Sequence, residues 1–399
     1  MKMILLIGIA LVAAFVSGKL FRSFGIPQVV GYIVLGIALG DSVSGLLPGE
    51  ILDSLTPITS IALSMIGFMV GGELKHTVFK KYGRQFFTIL FSEGLLAMIT
   101  VSILVGLYTN NLALGILLGA LSSATAPAAT VDVLWEYRAK GPLTTTILAI
   151  VALDDGLSLV LYGFALAIAD LLISSGRLNL NIMLYKPVME IVLSLAIGIG
   201  GGFFLDSLLR IVGEGEDRLV LSLGMLVFTA GVAESLGLSL ILTSMTVGVF
   251  MTNIHPHRNE EVFEEIKSFA PPIYILFFVF VGARLQVGLL KEMGVIGLLY
   301  VIGRSAGKWA GAFIGASLSM AAEQVRKYLG FALFSQAGVA IGLSLDAYQH
   351  FQKMGDTGIV MANTIINVIA ATTFLVQIIG PPSVKYAIKG AGEIGRKGG

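Results

Sequence analysis

The chain has 399 residues, of which 56% are hydrophobic and 13% are charged, and its mean hydropathy is +0.90. Soluble domains carry about 25% charged residues, so this composition excludes an ordinary soluble protein and indicates one that lies within a lipid bilayer. The net charge of +1 argues against nucleic acid as a partner. The lack of cysteine excludes disulfide bonds, thiol catalysis and cysteine-ligated metal sites.

Apolar segments follow one another from residue 3 to residue 381, with no linker or charge run between them. We therefore predict a single membrane domain over residues 1–399. With about 20 residues per spanning helix, it should be an all-α polytopic fold of about 13 transmembrane helices. The first apolar run has no clear cleavage site and is interpreted as a span rather than a signal peptide. The predicted spans cover residues 3–21, 27–40, 54–72, 85–108, 112–134, 142–171, 184–209, 218–236, 238–253, 264–284, 294–318, 328–348 and 357–380.

The basic residues are distributed unevenly between the two sides of this arrangement. With the N-terminus outside, the inner loops and the C-terminal tail hold 18 Lys and Arg residues, and the outer segments hold 6. Because Lys and Arg are enriched in cytoplasmic loops, this asymmetry predicts an external N-terminus and a cytoplasmic C-terminus. We expect a multi-pass protein of the cell (plasma or inner) membrane.

A pattern in the first half of the chain recurs 211 residues later. Val-Gly-x-x-Leu at residues 70–74 returns at residues 281–285, and the same shift carries Thr-Ala-Pro at 125–127 onto Gln-Ala-Gly at 336–338. Both of the latter segments break a helix inside an apolar span. Spans 1–6 and 8–13 then form two six-helix repeats, which the single linking span inverts. Inverted repeats with paired broken helices are typical of secondary transporters.

Five charged residues fall deep inside the predicted spans: Glu93, Asp154, Asp155, Arg304 and Lys308. A charge at the bilayer centre costs roughly 2.5–3.5 kcal/mol on insertion scales, so each is a candidate functional residue. At about 1.5 Å rise per residue, Asp154 and Lys308 lie roughly 18 and 15 Å from the inner ends of their spans. They can therefore meet at the same depth, which is also that of the break in the fifth span.

The two adjacent aspartates point about 100° apart on a helix, so they need not share one role. One can pair with Lys308 while the other faces a water-filled cavity. A structural charge cluster that holds helices together is the alternative for Asp154 and Lys308. A carboxylate in this place can hold a proton or a dehydrated hard cation, which prefers oxygen ligands, but not both at once. We hypothesise that this competition drives cation exchange.

The segment Ser-Ser-Ala-Thr-Ala-Pro at residues 122–127 interrupts the fifth span. Pro127 removes a helix hydrogen bond, and the freed carbonyls join the hydroxyls of Ser123 and Thr125 at the depth of the aspartates. Backbone released in this way is tolerated only where it lines a cavity or is buried in protein. The segment is interpreted as part of an ion-binding site, with an ordinary proline kink as the alternative.

At these residues the chain resembles the cation/proton antiporter superfamily, in its electrogenic sodium/proton branch. The resemblance covers all thirteen spans in order, and the aspartate pair after a broken helix is its most specific element. The matching pieces are Gly25-Ile-Pro27-x-Val-x-Gly31 with Gly36 and Gly40, Gly71-Gly72-Glu73-Leu74, Thr125-Ala-Pro127, Asp154-Asp155, Ala233-Glu234-x-x-Gly237-Leu-Ser, Gly307-Lys308 and Gln336-Ala-Gly338.

The resemblance implies a dimer subdomain at about 1–83 and 211–293, and a core subdomain at about 84–182 and 294–384. The linker helix 184–209 would lie between them. The fifth and twelfth spans would cross at their breaks, and the core would move against a fixed dimer subdomain in a homodimer. This movement would give alternating access to the site from the two sides of the membrane.

The resemblance also implies roles for individual residues. Asp155 would bind Na+ and H+, and Asp154 would contribute to the site and pair with Lys308 when the cation is absent. Arg304, one turn from Lys308, is a second candidate partner for Asp154.

Thr125 and Ser123 are further candidate ion ligands, and Glu93 and Gln336 are accessory candidates. The implied function is secondary active Na+/H+ antiport without a cofactor, which moves more protons than sodium ions and serves pH homeostasis. Li+ is a further candidate cation.

Other functions remain open at this point. The nearest is a potassium/proton antiporter of the same fold, and a sodium-coupled organic-anion symporter is a more distant one. An intramembrane aspartyl protease needs aspartates from two facing helices, whereas Asp154 and Asp155 are neighbours on one helix. The sequence therefore favours a transporter over an enzyme.

Overall fold

A computed structural model describes residues 3–174, 185–211, 216–285, 288, 294–336 and 338–395 of the chain. All regular secondary structure in this part of the protein is helical, and it contains no β-strand. The helices are α1 (Met3–Ser23), α2 (Gln28–Leu39), α3 (Gly49–Ser54), α4 (Thr56–Glu73), α5 (His76–Thr109), α6 (Leu112–Leu121), α7 (Pro127–Glu136), α8 (Pro142–Ser174), α9 (Lys186–Leu208), α10 (Glu216–Ser235), α11 (Leu240–Ile254), α12 (Pro256–Ala283), α13 (Gly294–Leu318), α14 (Glu323–Tyr328), α15 (Gly338–Phe351) and α16 (Gly355–Gly390), with a 3₁₀ turn (Leu329–Leu333) after α14.

Helical structure is found at every predicted span, which confirms the all-α class. Within the described residues, eight helices are long and apolar enough to cross a membrane. Shorter apolar helices cover residues 28–39, 56–72, 240–254 and 339–348. The chain is thus a multi-pass membrane protein, and a count of thirteen spans stays a prediction. Five basic residues used in the loop comparison lie outside the described residues: Lys2, Arg177, Lys291, Arg396 and Lys397.

Contacts between the ends of helices that are distant in the sequence define two faces of the bundle. On one face, the Asn253 amide donates to the carbonyl oxygen of Leu74 over 3.1 Å. On the other, the Arg284 guanidinium donates to the carbonyl oxygen of Leu52 over 3.0 Å. The first is called the C-terminal face because α16 and the last described residues also end there, and the second is called the opposite face.

Glycines mark two helix crossings that the internal repeat relates to each other. A Cβ on Gly71 of α4 would lie 2.0 Å from the Met245 carbonyl oxygen of α11. A Cβ on Gly282 of α12 would lie 2.2 Å from the Ile33 carbonyl oxygen of α2. Since the 211-residue shift carries Gly71 onto Gly282, the two crossings are equivalent in the two halves. The predicted inverted repeats are confirmed.

The crossing of α4 and α11 should not tolerate a side chain at Gly71. We expect Gly71→Ala to destabilise the protein by about 3 kcal/mol, the upper end of the usual overpacking range, because the clash is with backbone. Gly231 of α10 is a matched control, since a Cβ there would meet no atom within 4 Å. Thermal melts in detergent should show a clear fall for Gly71→Ala and little change for Gly231→Ala. Equal melting of both variants would contradict the tight crossing.

Candidate functional site

Two interrupted helices meet in the middle of the bundle. The first helix stops at the end of α6 and resumes at α7, with residues 122–126 unwound. Proline favours an extended residue before it, and Ala126 has φ −79° and ψ 112°. The second interruption covers residues 334–336 of the described chain, before α15. The Ala126 amide donates to the Ser335 carbonyl oxygen over 2.9 Å, so the unwound segments cross as predicted.

Arg304 of α13 lies fully buried at this crossing. Its guanidinium donates to the carbonyl oxygens of Ala124 (2.8 Å), Ser335 (3.1 Å) and Phe334 (2.6 Å). These acceptors come from both unwound segments, so Arg304 satisfies carbonyls that helix breaking leaves free. The sequence-based alternative that Arg304 pairs with Asp154 has no support in these contacts.

Lys308, one turn further along α13, lies at the centre of a buried polar cluster. Its ammonium nitrogen is 3.0 Å from a carboxylate oxygen of Asp154 and 2.6 Å from one of Glu93. It also donates to the Thr125 hydroxyl over 2.9 Å and to the Ser123 carbonyl oxygen. The side chains of Lys308, Asp154 and Glu93 are all fully buried. The ammonium group of Lys308 thus connects three helices, α5, α8 and α13, with the unwound segment at residues 122–126.

The cluster holds more acidic than basic groups. If both carboxylates that touch Lys308 are ionised, the three side chains carry one negative charge in excess. Lys308 contacts one oxygen of each carboxylate, and the other oxygen of Asp154 and of Glu93 lacks a hydrogen-bond donor in the described part of the chain. Uncompensated charge is expensive in such a place, so the cluster favours taking up a proton or a cation.

Asp155 points away from this cluster, as the 100° offset on a helix requires. It lines a cavity of about 1220 Å³ together with Thr125. Asp41 and Arg284 also line this cavity, which therefore extends to the opposite face. The Asp155 side chain remains well buried, at the end of the cavity that lies deepest in the protein. The two neighbouring aspartates thus differ: Asp154 contacts an ammonium group, and Asp155 meets open space.

Two other residues singled out from the sequence lie beside the site. The Ser123 hydroxyl lies 3.1 Å from the hydroxyl of Ser158, so it is the backbone of Ser123 that reaches Lys308. The Gln336 amide donates to the Leu121 carbonyl oxygen over 2.7 Å and contacts the Tyr300 hydroxyl. Gln336 therefore joins the second break to the end of α6.

Sequence analysis overlooked Asp132, which lies in α7 and within the predicted fifth span. The sequence does contain a signal for Asp132, because a charged residue inside a span is a candidate functional residue. The same criterion identified the five charged residues named in the sequence analysis. Asp132 lies two residues before the end of the predicted span at 112–134. Asp132 lines a different cavity from Asp155.

Inverted repeats, crossed broken helices and buried charges at the crossing define a secondary transporter. The model of the family described as sodium/hydrogen exchanger, transmembrane, matches residues 7–389. The chain belongs to this family.

Relatives over the whole length agree with this assignment. The chain is 23% identical to an Na+/H+ antiporter of Enterococcus hirae, over 98% of this chain and 99% of that protein. It is also 23% identical to the Na+/H+-K+ antiporter GerN of Bacillus cereus, over 95% of both chains. The structure of the sodium proton antiporter MjNhaP1 from Methanocaldococcus jannaschii at pH 8 is similar in fold, with a TM-score of 0.71, 19% identity and 99% of both chains covered.

Proposed function

We propose that this protein is a secondary active Na+/H+ antiporter that exchanges the two ions at Asp155 and Asp154 by alternating access. The observation that carries this proposal is the position of Asp155 at the inner end of the large cavity, directly beside the buried pair of Asp154 and Lys308. Na+ and H+ compete for the same carboxylate oxygens, so the site can carry either one but not both. The relatives named as Na+/H+ antiporters support sodium as the cation.

The exchange steps follow from the charges of the cluster. Na+ that enters through the large cavity would be bound by Asp155, with Thr125 and unwound carbonyls within the same region. Asp154 could join it by leaving Lys308, because Glu93 would still compensate the ammonium group. When Na+ leaves, Lys308 would return to Asp154, and protonation of both Asp155 and Glu93 would give a neutral site. Electrogenic exchange requires that more than one proton move per Na+, and the surplus carboxylate supplies this capacity.

Alternating access requires two bodies that move against each other. We assign the moving core to residues 84–182 and 294–384, and the static dimer subdomain to residues 1–83 and 211–293, with the linker helix 184–209 between them. The large cavity supports this division, since residues of both groups line it. We also propose a homodimer in the cell membrane, with the C-terminal face toward the cytoplasm and a role in pH homeostasis.

Potassium is the second candidate cation. GerN, a full-length relative, is named as an Na+/H+-K+ antiporter, which favours K+/H+ exchange as the alternative function. The carboxylate oxygens of the site would accept either ion. The cavity would therefore have to distinguish Na+ from the larger K+.

The test uses purified protein in liposomes with a preformed pH gradient and a pH-sensitive dye. We expect addition of NaCl to dissipate the gradient, LiCl to act more weakly or equally, and KCl to act far less. An imposed membrane potential should change the rate if exchange is electrogenic. Dissipation by K+ alone would establish the alternative cation, and no response to any of the three cations would refute antiport.

A further inference from the structure

A second, smaller cavity of about 200 Å³ lies in the half of the bundle that ends at the C-terminal face. Asp132 lies about 7.5 Å beyond Pro127 along α7, and about 6 Å before the end of that helix. Since water occupies about 30 Å³ in the liquid, the volume suffices for several water molecules. We call this cavity the vestibule; the residues that line it include Tyr32, Met69, Asp132, Trp135, Lys267 and Tyr274.

Asp132 has neither a hydrogen-bond donor nor an ion-pair partner among the residues that the structure describes. Glu136, one turn further along the same helix, is different: it accepts from the Gln28 amide over 2.8 Å and lies 3.6 Å from Arg22. An intramembrane carboxylate without a partner is costly unless it meets water or a cation, so its presence in a cavity needs an explanation.

The hydroxyl of Tyr274 gives an independent observation in the same vestibule. Tyr274 is only 8% exposed, and its hydroxyl oxygen is buried without a hydrogen-bond partner in the described part of the chain. Its ring stacks on Trp135, with centroids 5.9 Å apart, so the residue is held in place. A carboxylate and a hydroxyl with unused oxygen atoms are the ligand types that hard cations prefer.

The walls of the vestibule come from two groups of helices. Asp132 and Trp135 belong to α7, whereas the other lining residues belong to α2, α4 and α12. The large cavity also lies between the start of α7 and two of these helices, α4 and α12. A movement of α7 that closes one cavity would therefore open the other, which places the vestibule on the route from the site to the C-terminal face.

We propose that Asp132, with the Tyr274 hydroxyl, forms a docking site for a monovalent cation on the C-terminal side of the exchange site. The inference rests on the proposed antiport function. The carboxylate would raise the local cation concentration at the mouth of this route. Lys267, the one ammonium group among the described lining residues, is partly compensated by Glu264 at 3.4 Å. The other acidic group of α7, Glu136, is already engaged by Gln28 and Arg22.

The test compares sodium added to each face, in inside-out and right-side-out vesicles whose orientation is read from a C-terminal tag. We expect Asp132→Asn to raise the apparent KM for Na+ at the C-terminal face by about three- to tenfold, since one short-range charge is lost. The maximal rate should stay within about twofold, and the KM at the opposite face should not change. Tyr274→Phe, which removes only an unpartnered hydroxyl, should raise the same KM by about two- to threefold.

Glu323→Gln is the matched charge control, because Glu323 is an exposed carboxylate outside the vestibule. The hydrogen bond from Lys327 holds the pKa of Glu323 below its ordinary value, so this substitution also removes a full charge. We expect no change in KM for it. Three results for Asp132→Asn would overturn the docking site, provided that the wild-type protein exchanges ions. They are an unchanged KM for Na+, an equal change of KM at both faces, and a shifted pH profile with an unchanged KM for Na+. Absence of exchange in the wild type would instead refute the proposed function, and this inference with it.

Discussion

Replacement of Asp155 by asparagine is expected to abolish sodium-driven proton movement, with a loss of at least about a hundredfold, equivalent to some 2.7 kcal/mol. Asn has nearly the shape of Asp but neither takes up a proton nor compensates the charge of a dehydrated cation. Asp155 is the member of the aspartate pair that faces the large cavity, whereas its neighbour Asp154 is held by Lys308. The measurement is the rate of gradient dissipation in liposomes.

Two controls separate a loss of exchange from a loss of structure. One Asp155 oxygen has no hydrogen-bond donor within the described chain, so Asp155→Asn should melt at or above the wild-type temperature. Asp155→Glu keeps the charge and should retain part of the activity. A wild-type rate in a folded Asp155→Asn protein would show that the exchanged ions bind elsewhere.

Replacement of Lys308 by alanine is expected to destabilise the protein by about 3–5 kcal/mol, the range found when one member of a buried ion pair is removed. The change leaves two fully buried carboxylates, Asp154 and Glu93, without their counter-charge. It also removes the donor to the Thr125 hydroxyl at the first helix break. Thermal melts of the detergent-solubilised protein should show a large fall.

A matched background tests whether this loss is electrostatic. In a protein that already carries Glu93→Gln and Asp154→Asn, the further change Lys308→Ala should cost much less, because no carboxylate is left unpaired. The difference between the two costs is the interaction free energy of the cluster. Equal costs in both backgrounds would mean that Lys308 stabilises the fold only through packing and its hydrogen bonds to the Ser123 carbonyl and the Thr125 hydroxyl.

The helical architecture could be predicted almost entirely from the sequence. Long apolar runs in a chain with half the usual charge leave few alternatives to membrane helices, because backbone polar groups must be satisfied internally in lipid. The helix break before Pro127 was also predictable, since proline removes a local hydrogen bond and restricts the residue before it. Buried charges at equal depth identified Asp154 and Lys308 as neighbours.

Only the tertiary structure decided which way each charged side chain points and what it meets. Depth along a span does not give the rotation of a helix, so nothing local indicated that Glu93 shares Lys308 with Asp154 or that Arg304 binds carbonyls of the broken helices. The vestibule around Asp132 likewise exists only because four helices that are distant in the sequence surround it. Span positions and breaks follow from local chemistry and hydrophobicity, whereas the partners of each buried charge depend on packing between residues that are often more than a hundred positions apart.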